Sequence, residues 1–172
     1  MKDIFLNRIV LGQRSFCLGI ATFLTICGFW LIFPPPATGQ NQELLPQETL
    51  SLVESGKRWI EINLSTQRLI ARKGNKSVAI ARISSGKFST PTYPGVFQIE
   101  RKHIQDRMRG ADYDIANVPY AMYYNRGYAI HGAPWHNLFG TPVSHGCINL
   151  SVEQAKWLFQ WTAIGTPVLI HQ

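Results

Sequence analysis

Residues 15–33, SFCLGIATFLTICGFWLIF, are 19 consecutive residues without a charge, and nothing else in the sequence limits the folding options of the chain as much. About 20 such residues in a helix cross the roughly 30 Å hydrocarbon core of a bilayer. Lys2, Arg8 and Arg14 precede the run, which predicts a cytoplasmic N-terminus and export of everything that follows. Two fates are expected for it. It persists as an inner-membrane anchor, which its length favours, or it is cleaved as a signal after the small residues of ATG at 37–39. Either way residues 1–33 are taken out of the folded body. Residues 34–56 open with three prolines that cannot continue a helix, and a polar stretch without sustained period follows. They read as a linker, with at most a helical turn in ETLSLVES.

The body is therefore 57–172. RWIEINLSTQRLIARKG alternates apolar and polar residues on both sides of a turn, through Ile60, Ile62 and Leu64 and then Leu69 and Ala71, and predicts a hairpin. KSVAIARISSG is a third strand with Val78, Ile80 and Ile83 among its apolar positions. A Pro/Gly turn leads into a strand over Val96–Ile99. The polar stretch 101–117 reads as a long irregular loop of the kind that covers a site. VPYAMYYNRGYAIHG predicts a hairpin of Val118–Tyr124 and Tyr128–His131. After the only cysteine of the body, Ser151 and Gln154 have capping-box spacing. Val152, Ala155, Leu158 and Phe159 then recur at helical intervals, and Gly165 is expected to stop the helix. TPVLIH closes the chain as a strand. About seven short strands and one helix imply a mainly β, sandwich-like or barrel-like body with Cys147 at its rim.

The chain carries a formal charge of +7, of which residues 40–172 keep +5. Such an excess attracts anionic partners, but the basic residues are scattered without a run of five, which argues against a dedicated nucleic-acid surface. Cys17 and Cys27 lie within the apolar run, so Cys147 is the body's single thiol and no disulfide framework exists there. With no second cysteine and no ligand-like histidine spacing beside it, neither a metal site nor another cofactor is expected. A monomer is the default.

An exported domain that keeps one unpaired cysteine is unusual, because oxidising compartments pair or lose thiols. The thiolate attacks carbonyls, and a free thiol with a pKa near ~8.5 is mostly protonated at neutral pH. A nucleophilic cysteine therefore needs a nearby base, and that base needs an orienting partner. His131 ends a half-buried strand, and His145, two residues before the cysteine, points to the same side of an extended segment. Gly146 lets the chain turn sharply, so that the Gly146 and Cys147 amides can meet a developing oxyanion. Each residue also has a structural alternative. Cys147 can be a small buried hydrophobe, His131 and His145 can be satisfied structural histidines, and Trp135 can be simple packing. Asn149 caps local backbone or fixes the cysteine turn. His103, His136 and His171 have no partner argument and read as surface residues.

HGAPWHNLFGTPVSHGCINLS (131–151) resembles the signature of the L,D-transpeptidases with a YkuD-type catalytic domain: a histidine, a spacer, then Ser/Thr-His-Gly-Cys with Arg or Asn two places on. The spacer before Ser144 is twelve residues, at the short end of the family's range, and the last position is Asn149. SSGKFSTPTYPGVFQI (84–99) is similar to the family's Ser/Thr-Gly-Lys segment and Thr-Pro-x-x-Pro-Gly turn. AMYYN (121–125) is similar to its Met-aromatic strand, and GTPVLI (165–170) also fits. The resemblance implies that Cys147 is the acylated nucleophile and His131 the base, oriented by the carbonyl of Gly132. His145 would support the turn or the electrostatics of the site, Gly146 and Cys147 would supply oxyanion amides, and Ser144, Asn149, Tyr123 and Trp135 would contact substrate. Such enzymes cleave a peptidoglycan tetrapeptide stem after its third residue, release D-alanine, and pass the acyl group to an amine on another stem or on a wall protein. Lys87 and Arg126 are candidate partners for stem carboxylates. Two rival readings keep the same fold: an exported cysteine L,D-carboxypeptidase with water as acceptor, and a non-catalytic wall-binding module.

Overall fold

The computed structural model describes residues 40–172, which lie in the Pro36–Gln172 unit of a chain that divides into two. The apolar run at 15–33 and the expected anchor or signal fall outside the described residues. The order of elements is α1 (Gln40–Glu54), β1 (Arg58–Asn63), β2 (Arg68–Lys73), β3 (Lys76–Arg82), β4 (Gly95–Gln98), β5 (Arg101–Arg109), β6 (Asp114–Asn125), β7 (Tyr128–Gly132), β8 (Ile148–Leu150), α2 (Val152–Trp161) and β9 (Pro167–His171).

The strands form two sheets, β3-β2-β1-β9-β4 and β5-β6-β7-β8. One face of each closes on a shared core. Ile60, Ile62, Leu69, Ala71, Val168 and Ile170 enter it from the first sheet, and Met122, Ile130, Ile148 and Leu150 from the second. Each such aliphatic side chain gains about 1.5–3 kcal/mol on full burial. Alternation along the strands supplies the sandwich, as the sequence predicts. Most strands are antiparallel, but β1 runs parallel to β9 and β7 parallel to β8. The parallel β7–β8 pair is made possible by the long excursion 133–147, which returns the chain to the same end of the sheet with the cysteine at the point where it re-enters.

Helix α2 begins as expected. Ser151 Oγ accepts from the Gln154 amide at 3.3 Å, and Ala155 and Leu158 fill the core. It ends three residues earlier than Gly165 predicts. Thr162 takes the cap, with its amide and hydroxyl both donating to the Leu158 carbonyl, and Gly165 (φ +85°) serves the turn into β9 instead.

Three further expectations are corrected. The 34–56 linker contains helix α1, because Thr49, Leu52 and Val53 recur at three- and four-residue spacing and are partly buried on one side. Residues 101–117 are a β-hairpin rather than an irregular loop: β5 and β6 pair antiparallel from Arg101↔Tyr123 to Arg109↔Asp114. Both faces of β5 are largely solvated, so its sequence shows no alternation. A shift of register between Asp106 and Met108 further breaks the pattern. In β3, Val78 and Ile80 are exposed, and the intervening Ala79 and Ala81 pack on the core.

Candidate active site

Three backbone features bring the candidate residues to one wall. Register on the second sheet sets His131 opposite Asn149 and Ile130 opposite Ile148. Since side chains alternate, Ile130 and Ile148 enter the core while His131 and Asn149 face the other way, the side to which Cys147, two residues before Asn149, also projects. Isolated bridges Ser84↔Asn149 and Gly86↔Ser144 then fasten the cysteine segment to the 84–92 stretch.

The cysteine turn is held by its own polar groups. Ser144 Oγ accepts from the Gly146 amide at 3.0 Å and donates to the Cys147 carbonyl. The Thr92 hydroxyl donates to the Gly146 carbonyl at 2.8 Å and accepts from the Gly86 amide at 2.9 Å. The Ser144 carbonyl takes the Lys87 amide and the Thr90 hydroxyl. Gly146 sits at φ +109°, and a Cβ there would meet Tyr128 Cε1 at 2.4 Å, so both backbone and space demand glycine. The Gly146 amide, expected to face an oxyanion, is engaged by the Ser144 hydroxyl in this structure. The Cys147 amide has no acceptor among the described residues.

Cys147, His131, His145, Ser144, Asn149 and Trp135 all line one cleft of about 350 Å³. His131 is buried, and its Nδ1 lies 2.9 Å from the Gly132 carbonyl. A carbonyl only accepts, so Nδ1 carries the proton and Nε2 is left with a free lone pair. Burial holds the His131 pKa down to about 4, against the opposing pull of the Gly132 carbonyl. Burial pushes the Cys147 thiol up, while the Ala129 amide acts in the other direction. At neutral pH both groups are thus neutral, a thiol and an imidazole. The sulfur faces the Gly127 carbonyl at 4.0 Å. Trp135 lies against His131, with ring centroids 5.8 Å apart.

His145 stands at the mouth. Its Nε2 is 3.2 Å from both Asp112 Oδ2 and Lys87 Nζ, and its ring lies 4.8 Å from that of Tyr113. It therefore joins the hairpin tip to the 84–92 stretch, with Lys87 as its neighbour rather than an isolated surface charge. Tyr123 is not on the cleft wall. It packs with Cys147 in a small second core beside Met108, Val118, Ala121 and Ala129, and its hydroxyl donates to Asp106 at 2.8 Å. Arg126 is exposed, and its carbonyl accepts from Arg101.

Sequence reasoning missed several lining residues. Met108, Tyr113 and Ile115 reach the cleft from the hairpin, and their only sequence signal is that they are apolar positions in a polar stretch. His136, read as a surface residue, also lines the cleft. The Leu138 amide donates to its Nδ1 at 3.2 Å, which leaves the proton on Nε2, and that Nε2 is buried with no partner among the described residues. Asn149 Oδ1 is a second buried atom without a partner there. One is a donor and the other an acceptor.

The family model of the L,D-transpeptidase catalytic domain (YkuD) matches residues 57–170. L,D-transpeptidase 1 of Mycobacterium tuberculosis H37Rv is 30% identical over 135 residues, 71% of this chain and 54% of that protein. The probable L,D-transpeptidase YbiS of Escherichia coli K12 is 32% identical over 147 residues, 72% of this chain and 47% of its own length. Among solved structures, an Enterococcus faecium L,D-transpeptidase, crystallised as a cysteine-to-serine mutant, superposes with a TM-score of 0.63 at 32% identity, over 66% of this chain and 49% of that one. The chain spans about half the length of these relatives.

Proposed function

Because this chain belongs to the L,D-transpeptidase catalytic-domain family, we propose that it transfers the acyl part of a peptidoglycan stem peptide, through a thioester on Cys147, to an amine. Nε2 of His131 takes the thiol proton as sulfur attacks the carbonyl of the third residue of a tetrapeptide stem. The Cys147 amide receives the oxyanion, the base returns its proton to the departing amine, and D-alanine leaves. A neighbouring stem or a wall protein then supplies the amine that resolves the thioester. No metal or organic cofactor enters these steps.

The observation that carries this reading is the Nδ1–Gly132 contact at 2.9 Å. It fixes the tautomer that a base needs, on the wall that also holds the thiol. Two further features fit. The partnerless Nε2–H of His136 and Oδ1 of Asn149 complement the C=O and N–H of a substrate amide. Met108, Ile115, Val118 and Leu138 make much of the remaining wall apolar, which disfavours water at the thioester and favours transfer over hydrolysis. The run at 15–33 supports export, with the domain on the wall side of the inner membrane. Incubation of the purified protein with tetrapeptide muropeptides tests the reading. Cross-linked dimers together with free D-alanine are expected. Tripeptides alone identify a carboxypeptidase, and unchanged substrate identifies a non-catalytic module.

A further inference from the structure

Next to the cleft that holds Cys147 lies a second opening, which Cys147 itself does not line. A second pocket of about 400 Å³ is lined by Arg101, Arg107, Arg109, Tyr123 and Gly127, and shares Met108 and Tyr113 with the cleft. Gly127 is the residue whose carbonyl faces Cys147 Sγ, so this pocket begins one residue from the nucleophile. The two openings differ in charge. Among the described residues no lysine or arginine lines the cleft, whereas three guanidiniums line the second pocket.

The local acids leave part of that charge over. Asp114 is shared, taking bonds from Arg107 at 2.7 and 2.6 Å and from Arg109 at 3.4 Å. Asp106 accepts from the Tyr123 hydroxyl and the Arg107 amide. Arg101 forms no ion pair among the described residues. It lies 4.0 Å over the Tyr123 ring and gives Nη2 to the Arg126 carbonyl at 2.8 Å, which anchors the guanidinium plane and leaves its other N–H groups for a ligand. A guanidinium held flat in this way suits a planar carboxylate.

We propose that the second pocket is a carboxylate-binding subsite for a stem peptide that approaches Cys147 from the hairpin side, with Arg101 and Arg109 as its contacts. The proposal rests on the transpeptidase reading and adds to it the residues that select charge. No bond is made or broken in the pocket. Its effect is on binding and on approach of an anionic substrate.

The test is equilibrium binding of a tripeptide stem to the Cys147→Ser protein, where chemistry is silent. A stem with free carboxylates is expected to bind at least about tenfold more tightly than the same stem converted to carboxamides. Double replacement Arg101→Gln and Arg109→Gln removes that preference, while Arg101→Lys alone keeps part of it. Raising the salt to about 0.5 M compresses the difference. Equal binding of the two stems, or an unaltered preference in the double variant with its circular dichroism intact, overturns the proposal. The function reading fails separately, if wild-type protein never forms an acyl-enzyme with tetrapeptide. The subsite is decided by the binding measurement in either case.

Discussion

Between Ser144 and Leu150, side-chain hydroxyls and strand bridges tie the backbone down on both sides, and a glycine fills the one place where a side chain does not fit. Along Arg101–Arg109, by contrast, Met108 alone is buried, and much of the side-chain bonding is between exposed charges. Both regions reach the same sulfur. In the proposed reaction the turn fixes the geometry in which the bond forms and the arm supplies the charge that recognises substrate, a division that substitutions can break.

The largest effect is expected on the rigid side. His131→Gln keeps a polar side chain but loses the base, and lowers kcat with tetrapeptide by about a thousandfold, within the usual range for general-base removal. Steady-state kinetics on the two proteins measures it. Stability follows the same residue. The unfolded chain protonates this imidazole below its ordinary pKa of 6.5, and the folded protein only near 4. The unfolded state therefore binds more protons in between, so stability is complete above pH 6.5 and declines as pH falls towards 4, by about 3 kcal/mol. Urea midpoints across pH 4–7 show this slope in wild type and a flatter one in His131→Gln. Gly146→Ala sets a methyl against Tyr128 at a left-handed φ and costs about 2 kcal/mol in chemical denaturation, with a further loss of activity. The smallest effect belongs to the arm. Asp114, held to a pKa of about 2 by Arg107, is exposed, and Asp114→Asn leaves the thermal midpoint unchanged. A large drop there would mean that the hairpin is part of the rigid framework.

The same contrast explains what the sequence revealed. Alternation exposes Ile60, Ile62, Ile130 and the α2 face because each has one dry side, and the sandwich follows from them. The cysteine turn is legible because glycine, serine and the strand before it leave few conformations open. The bond from the Gly146 amide to the Ser144 hydroxyl leaves no mark in the sequence, because it depends on turn geometry. The hairpin lacks periodicity because both of its faces are wet, so it reads as a loop until β6 pairs with it. The Leu138 amide holds His136 Nδ1, and only tertiary structure shows that the other ring nitrogen is buried without a partner among the described residues.

The most direct measurement is the intact mass of the protein, rapidly quenched during reaction with a stem tetrapeptide. The account predicts a gain equal to the acyl tripeptide, carried on the peptide that contains Cys147, slower to appear in His131→Gln and absent in Cys147→Ser. No adduct in wild type while substrate is consumed, or an adduct that survives Cys147→Ser, would contradict it.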